Sequence, residues 1–257
     1  MELVKKFLGE RNKGANGNVS SRTICLMDAT GSMGGLLNQA KNTVGEMFER
    51  ATSILFDYKI PTDSFQLQFA VYRDYDCKDG ILQFSPWETR PENLRKFMEK
   101  VSAKGGGDYE EAIEIGLWHA NDEDAKLEIS QVILIGDAPP KDKEAIARDR
   151  NTYGGETFWK KTPFCKTTHY LLEVEKLKKR HIPVHSFYLE DGAKTKFEEI
   201  SQITNGKFGS LNIHSSEGSE LLTNVVTEQI LSNIGQATGK GDELVKAYKS
   251  KFSKAYK

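Results

Sequence analysis

Asp28, Thr30 and Ser32 place three oxygen-bearing side chains at alternate positions of the run Asp28-Ala29-Thr30-Gly31-Ser32. If Gly31 lets the chain turn tightly, the three oxygens face one point. Oxygen-only donors suit a hard divalent cation, which keeps some of its water. Mg2+ is the expected ion, with Mn2+ and Ca2+ as alternatives. The plainer use of the same residues is structural: Thr30 or Ser32 caps a following helix and Asp28 accepts backbone N–H groups. Two further segments add carboxylates. Gly105-Gly106-Gly107 allows close backbone approach and leads into Asp108, a second candidate metal ligand. Asp108 is also a good helix N-cap, with Glu111 at the capping-box position. The third candidate is Asp137, in Ile135-Gly136-Asp137-Ala138-Pro139. Asp74 either supports the site or pairs with Arg73 at the surface. The five histidines show neither HExxH nor a close Cys/His zinc pattern and read as structural.

The elements that must position these residues follow from periodicity. Thr23 to Met27 is an unbroken apolar run ending at Asp28, as in a strand buried on both faces. Leu37, Ala40, Val44, Met47, Phe48, Ala51 and Ile54 then recur at helical spacing. Phe65 to Val71 and Gly80 to Phe84 are strands close enough to form an antiparallel hairpin at a sheet edge. Pro91 opens a helix to about Lys100, and a second helix is predicted to begin near Asp108. Ile129 to Ile135 is another buried strand, ending before Asp137. Residues 138 to 165 read as a long loop with one short helical piece. A helix from His169 to Arg180, a strand from Pro183 to Leu189, helices at 197–204 and 221–234, and a last strand near 208–213 complete the alternation. The expected fold class is α/β: a mostly parallel central sheet with one antiparallel edge strand and helices on both faces.

Composition narrows the function classes. The 257 residues carry 36 basic and 37 acidic side chains, which gives no reason to expect nucleic acid or an anionic membrane as partner. The N-terminal stretch lacks a signal-peptide core, and nowhere do roughly 20 apolar residues run together as a bilayer span requires. Cys25, Cys77 and Cys165 read as thiols of a reducing compartment, so the expected location is cytoplasmic. Asn18-Val19-Ser20 would be a glycosylation acceptor only in a secreted chain. We expect a flexible arm over 1–20, one domain over 21–236, and a basic amphipathic C-terminal helix over 237–257. In that helix Leu244, Tyr248, Phe252 and Tyr256 are four residues apart. Docking on its own domain is the expected role, with a partner or weak membrane-surface contact as the other.

Asp28-Ala29-Thr30-Gly31-Ser32 resembles the metal-ion-dependent adhesion motif of the von Willebrand factor A family, and residues 20 to 235 resemble its domain. The resemblance implies a Rossmann-like fold. It places Asp28, Thr30 and Ser32 in the first metal loop and Asp137 in the third, and implies a protein partner that supplies an oxygen to the metal. Val71-Tyr72-Arg73-Asp74, Gly105-Gly106-Gly107-Asp108 with Glu111-Ala112, Ile135 to Pro140, and His169-Tyr170 resemble the A-domain found beside alpha-type protein kinases. A kinase module does not fit in the remaining residues. Many adhesive A-domains have threonine in the second loop, where this chain offers Asp108. Asp28, Asp108 and Asp137 together would outweigh a divalent charge and weaken its pull on a carboxylate from a partner.

Two other functions compete. Asp28-Ala29-Thr30-Gly31-Ser32 also resembles the nucleophile loop of haloacid-dehalogenase-type phosphoryl-transfer enzymes, in which Asp28 would attack phosphorus and Asp137 would help hold Mg2+. Ala29 stands where that motif has lysine, and Gly136-Asp137 lacks its usual continuation. Gly235 to Gly241 lacks the spacing of a Walker A loop. The other alternative is a metal-free structural interaction domain. The expectation is a non-catalytic, metal-dependent protein-binding module.

Overall fold

The computed structural model describes residues 21–211 and 218–252. The expected N-terminal arm, Asn18, His214 and Tyr256 lie outside them. The central strands are β1 (Ser21–Asp28), β2 (Phe65–Tyr72), β4 (Gln131–Gly136) and β5 (Val184–Tyr188), with β3 (Leu82–Phe84) and β6 (Phe208–Ser210) at the edges. The sheet order is β3-β2-β1-β4-β5-β6. Among the strand pairs of the described residues, only β2–β3 is antiparallel. The mostly parallel α/β sheet with one antiparallel edge strand is therefore as expected.

Side-chain alternation along β1 shows why the sheet needs cover on both sides. Cys25 and Met27 join a core with the helices α1 (Gly34–Asp57), α2 (Pro91–Met98), α8 (Gly218–Ala237) and α9 (Glu243–Phe252). Ile24 and Leu26 join another with α3 (Ile113–Lys126), α6 (Tyr170–Lys179) and α7 (Lys194–Thr204). Successive strand residues point to opposite faces, so a strand with apolar residues throughout must be buried on both. On α9, Leu244 and Tyr248 are buried in the first core, and Lys251 Nζ reaches Asp57 Oδ2 at 2.7 Å. No helix among the described residues is long and apolar enough to cross a membrane.

Residues 138 to 165 differ from expectation. They hold two helices, α4 (Lys143–Thr152), capped by Asp142, and α5 (Gly155–Trp159). Ile146 and Trp159 pack in a satellite cluster with Tyr75, Ile81 and Ile115. This gives the charged segment an apolar anchor on the 75–81 turn. The capping box is also corrected. Helix α3 starts at Ile113, well after Asp108, because Glu111 instead bridges to Pro140 and donates its N–H to the Pro139 carbonyl at 3.0 Å.

The chain leaves β1 toward β2 and returns to its other flank at β4. The C-terminal ends of β1 and β4 therefore border the point where the winding reverses, the place at which open α/β sheets form a ligand crevice.

Candidate metal centre

Asp28 is the last residue of β1 and is fully buried, opposite Tyr72 at the end of β2. Its Oδ1 accepts the Thr30 N–H at 2.7 Å, which fixes the turn that follows. The Thr30 and Ser32 hydroxyls are 3.3 Å apart. Neither caps the next helix through its side chain. Asp137 follows β4 directly, close enough for its charge to act on Asp28. Burial, followed by the charge of Asp137, pushes the Asp28 carboxyl well above the usual range against the opposing Thr30 hydrogen bond.

The glycine loop closes over this pair. Gly31 donates its N–H to the Gly105 carbonyl at 3.1 Å, and Lys104 donates to the Ala29 carbonyl at 2.9 Å. Gly106 has φ +87°, and a Cβ there would stand 3.1 Å from Thr30 Cβ and 3.2 Å from Glu111 Oε1. Glu111 is thereby brought beside Thr30. Burial and then the charge of Asp28 push its carboxyl up to about 10.

Asp108 is engaged elsewhere. Its Oδ1 is 2.6 Å from Lys141 Nζ and its Oδ2 is 3.5 Å from Arg148 Nη2. The Lys141 side chain is fully buried and also pairs with Asp74 at 3.1 Å and Asp149 at 2.8 Å. Asp74, Asp108 and Asp149 offer oxygens within 4.8 Å of one another, a group that could hold a metal ion. In this structure the Lys141 ammonium stands among them. Asp74 is thus neither exposed nor paired with Arg73.

Whether the Asp28 edge suits a cation can be judged from its unused oxygens. Asp28 Oδ2, Glu111 Oε2 and Asp137 Oδ1 are buried without a hydrogen-bond partner, as is the Tyr72 hydroxyl. Buried polar atoms normally find partners, and neighbouring carboxylate oxygens without donors amount to a demand for positive charge. The chemistry of these donors suits a divalent ion, while among the described residues it is Asp74, Asp108 and Asp149 that bring three carboxylate oxygens within 4.8 Å of one another.

Glu111 was overlooked in the sequence, where its acidic character was assigned to helix capping. Two of the histidines are held by structural contacts: His119 Nε2 meets Gln68 Oε1 at 2.9 Å, and His185 Nδ1 accepts the Lys207 N–H at 3.0 Å.

Comparison with known proteins agrees with this architecture. A solved von Willebrand factor type A structure from Catenulispora acidiphila matches 82% of this chain and 43% of its own, with a TM-score of 0.53 and 11% sequence identity. At that identity the match establishes a von Willebrand factor A-like fold. The putative ariadne-like RING finger protein R811 of Acanthamoeba polyphaga mimivirus is 28% identical over 218 residues, 82% of this chain. The chain spans only 20% of that protein's length. No family model matches the sequence.

Proposed function

We propose that this chain is a metal-dependent protein-binding module of the adhesion type, without catalytic activity. Asp28, Thr30, Ser32 and Asp137 would hold the ion, with Glu111 as the acidic group of the second loop. Asp108 would act at a distance, by fixing that loop through Lys141. The observation that carries this reading is the set of donorless buried oxygens on Asp28, Glu111 and Asp137, contributed by three separate loops. Mg2+ is the ion we favour, because every donor is oxygen; Mn2+ and Ca2+ share that chemistry. When bound, the ion supplies a Lewis-acidic position for an oxygen of the partner protein.

The chain's own residues set what that oxygen can be. Three carboxylates around one divalent ion leave a net negative charge, which disfavours another carboxylate and favours a neutral carbonyl, amide or hydroxyl. The match to part of a longer RING finger protein supports a recognition module that can be joined to other segments. Kinship with the A-domains beside alpha-type kinases rests on the Gly105 to Ala112 and Ile135 to Pro140 motifs. The free cysteines Cys25, Cys77 and Cys165 support a cytoplasmic setting.

Phosphoryl transfer to Asp28 fits less well. Its carboxylate is wholly buried, one oxygen is committed to Thr30, and nearby Lys141 is already compensated by three aspartates. Affinity capture from a lysate, with Mg2+ or with EDTA, using the native chain and Asp28→Ala, tests the proposal. Partners retained only by the native chain in Mg2+ are expected. Recovery of the same partners in all samples would refute metal-mediated recognition.

A further inference from the structure

A second polar site lies on the other side of the glycine loop. Arg73 follows β2 directly and is 2% exposed. Its Nη1 donates to the Gly80 carbonyl at 2.8 Å and its Nη2 to the Ser102 carbonyl at 2.7 Å. Nε is buried with no hydrogen-bond partner. Among the described residues no carboxylate forms a salt bridge with this guanidinium. Arg73 lines a cavity of about 320 Å³ together with Cys77, Gly80, Ser102, Lys100 and Lys104. No acidic residue lines it. The charge of Asp28 acts on Arg73 without a hydrogen bond or salt bridge to it, and Asp76 engages the Cys77 thiol.

A buried charge is costly unless an opposite charge pairs with it directly; the two backbone carbonyls supply only dipoles, and Asp28 acts on Arg73 without contacting it. The guanidinium fork matches an oxyanion, and two exposed lysines at the rim add charge without further burial. Three cations around one cavity exceed what a single carboxylate neutralises. A phosphoryl group, at about −1.5 to −2 near neutral pH, is the closer match. We propose that this cavity binds a phosphate-class oxyanion, either inorganic phosphate or a phosphoryl group on a partner's side chain, with Arg73 as the buried anchor and Lys100 and Lys104 at the rim.

The site does not depend on the metal reading, but it adjoins the metal loops. Lys104 is hydrogen-bonded to Ala29, and Gly105 accepts from Gly31. A partner could therefore engage the metal through a neutral oxygen and place an anionic group in the cavity alongside.

Cys77 offers a local reporter, and the exposed Cys165 an internal reference. The experiment measures maleimide alkylation of both thiols by mass spectrometry, in inorganic phosphate and in chloride at equal pH and ionic strength. Phosphate is expected to slow Cys77 several-fold and leave Cys165 unchanged, and the protection is expected to disappear in a Lys100→Ala/Lys104→Ala double variant. Those exposed positions can be changed without touching the core. Parallel titrations with phosphoserine and phosphotyrosine identify the source: protection at lower concentration than inorganic phosphate indicates a phosphorylated partner, and the reverse a free ion. Equal Cys77 rates in phosphate and chloride would overturn the proposal. So would protection that survives intact in the double variant.

Discussion

Lys141 Nζ lies 2.6 Å from Asp108 Oδ1, joining the loop after the glycines to the loop after β4. The backbone makes the same connection, since Lys141 donates its N–H to the Glu111 carbonyl at 3.1 Å and Glu111 donates to Pro139. Two of the three loops at the candidate metal edge therefore behave as one unit. Lys141 also neutralises carboxylates that would otherwise be buried alone. Its ammonium is the cation that Asp74, Asp108 and Asp149 share.

Replacing Lys141 with methionine removes that cation and keeps the side-chain bulk. Asp74 and Asp149 are 2% and 5% exposed, so their charges would lose their principal compensation. Breaking a buried ion pair by removing one partner costs about 3–5 kcal/mol. Lys141→Met is expected to unfold at markedly lower denaturant concentration than the native chain. Because the three aspartates have cation-holding spacing, millimolar Mg2+ or Ca2+ should recover part of the loss. Denaturation curves with and without the ions check both points, and a Lys141→Met midpoint equal to the native one would contradict the role assigned to this lysine.

The same contact explains which parts of the site were legible in the sequence. Asp28, Thr30 and Ser32 are brought together by a short run, so their spacing alone suggested convergence. Asp137 was recognisable as a carboxylate at the end of a buried strand. Where the Asp108 carboxylate is held was not a local question. It depends on Lys141, a residue type seldom fully buried, which reaches Asp108 from a separate loop. That residues 138 to 165 hold two helices, α4 and α5, and not one short helical piece in a loop, was hidden for a related reason. Their sequence is mostly charged or broken by glycine, and Ile146 and Trp159 become an apolar face only once Tyr75 and Ile81 are packed against them. The strands, by contrast, announce themselves because burial on both faces makes them apolar throughout.

Stability should fall as pH rises through the range in which Glu114 ionises. Glu114 is wholly buried on α3 and accepts the Tyr75 hydroxyl at 2.7 Å. Burial pushes its carboxyl from the ordinary 4.5 to about 8. Between those values the folded chain holds a proton that the unfolded chain releases, so the favourable contribution is full below pH 4.5 and is lost by about pH 8. The slope from one such group is at most about 1.4 kcal/mol per pH unit. Asp74, raised to about 7 mainly by burial, adds in the same direction. In EDTA, Glu114→Gln should show a flatter dependence than the native chain. Parallel curves for the two proteins would exclude Glu114 as a contributor.

Asp108 and Glu111 make opposite predictions for metal affinity. Glu111 carries the buried oxygen without a donor, whereas both Asp108 oxygens face cations of the chain. Glu111→Gln keeps the shape and removes the charge, and is expected to weaken Mg2+ binding on the order of tenfold or more. Asp108→Asn acts only through loop position, because its oxygens already face Lys141 and Arg148, and should weaken it less than Glu111→Gln. Calorimetric titration of the two variants distinguishes them. A larger loss in Asp108→Asn would return the second-loop ligand to Asp108.

Gly106→Ala tests the closeness of the loops without removing a charge. At φ +87° an alanine is strained, and its Cβ would press on both Thr30 and Glu111, at 3.1 and 3.2 Å. The backbone penalty is about 1–2 kcal/mol. Relief requires the glycine loop to move outward, which would separate Glu111 from Thr30 and Asp28. The variant is therefore expected to remain folded with a modest fall in stability, while its Mg2+ affinity falls by more than the stability change alone accounts for. Gly107→Ala is the control, because a Cβ there would meet only the Tyr153 hydroxyl at 3.7 Å, and Gly107 is not among the glycines with positive φ. Paired calorimetry and thermal unfolding of both variants measure the two effects separately. Equal Mg2+ affinity in Gly106→Ala, Gly107→Ala and the native chain would mean that the spacing between Thr30 and Glu111 does not set metal binding.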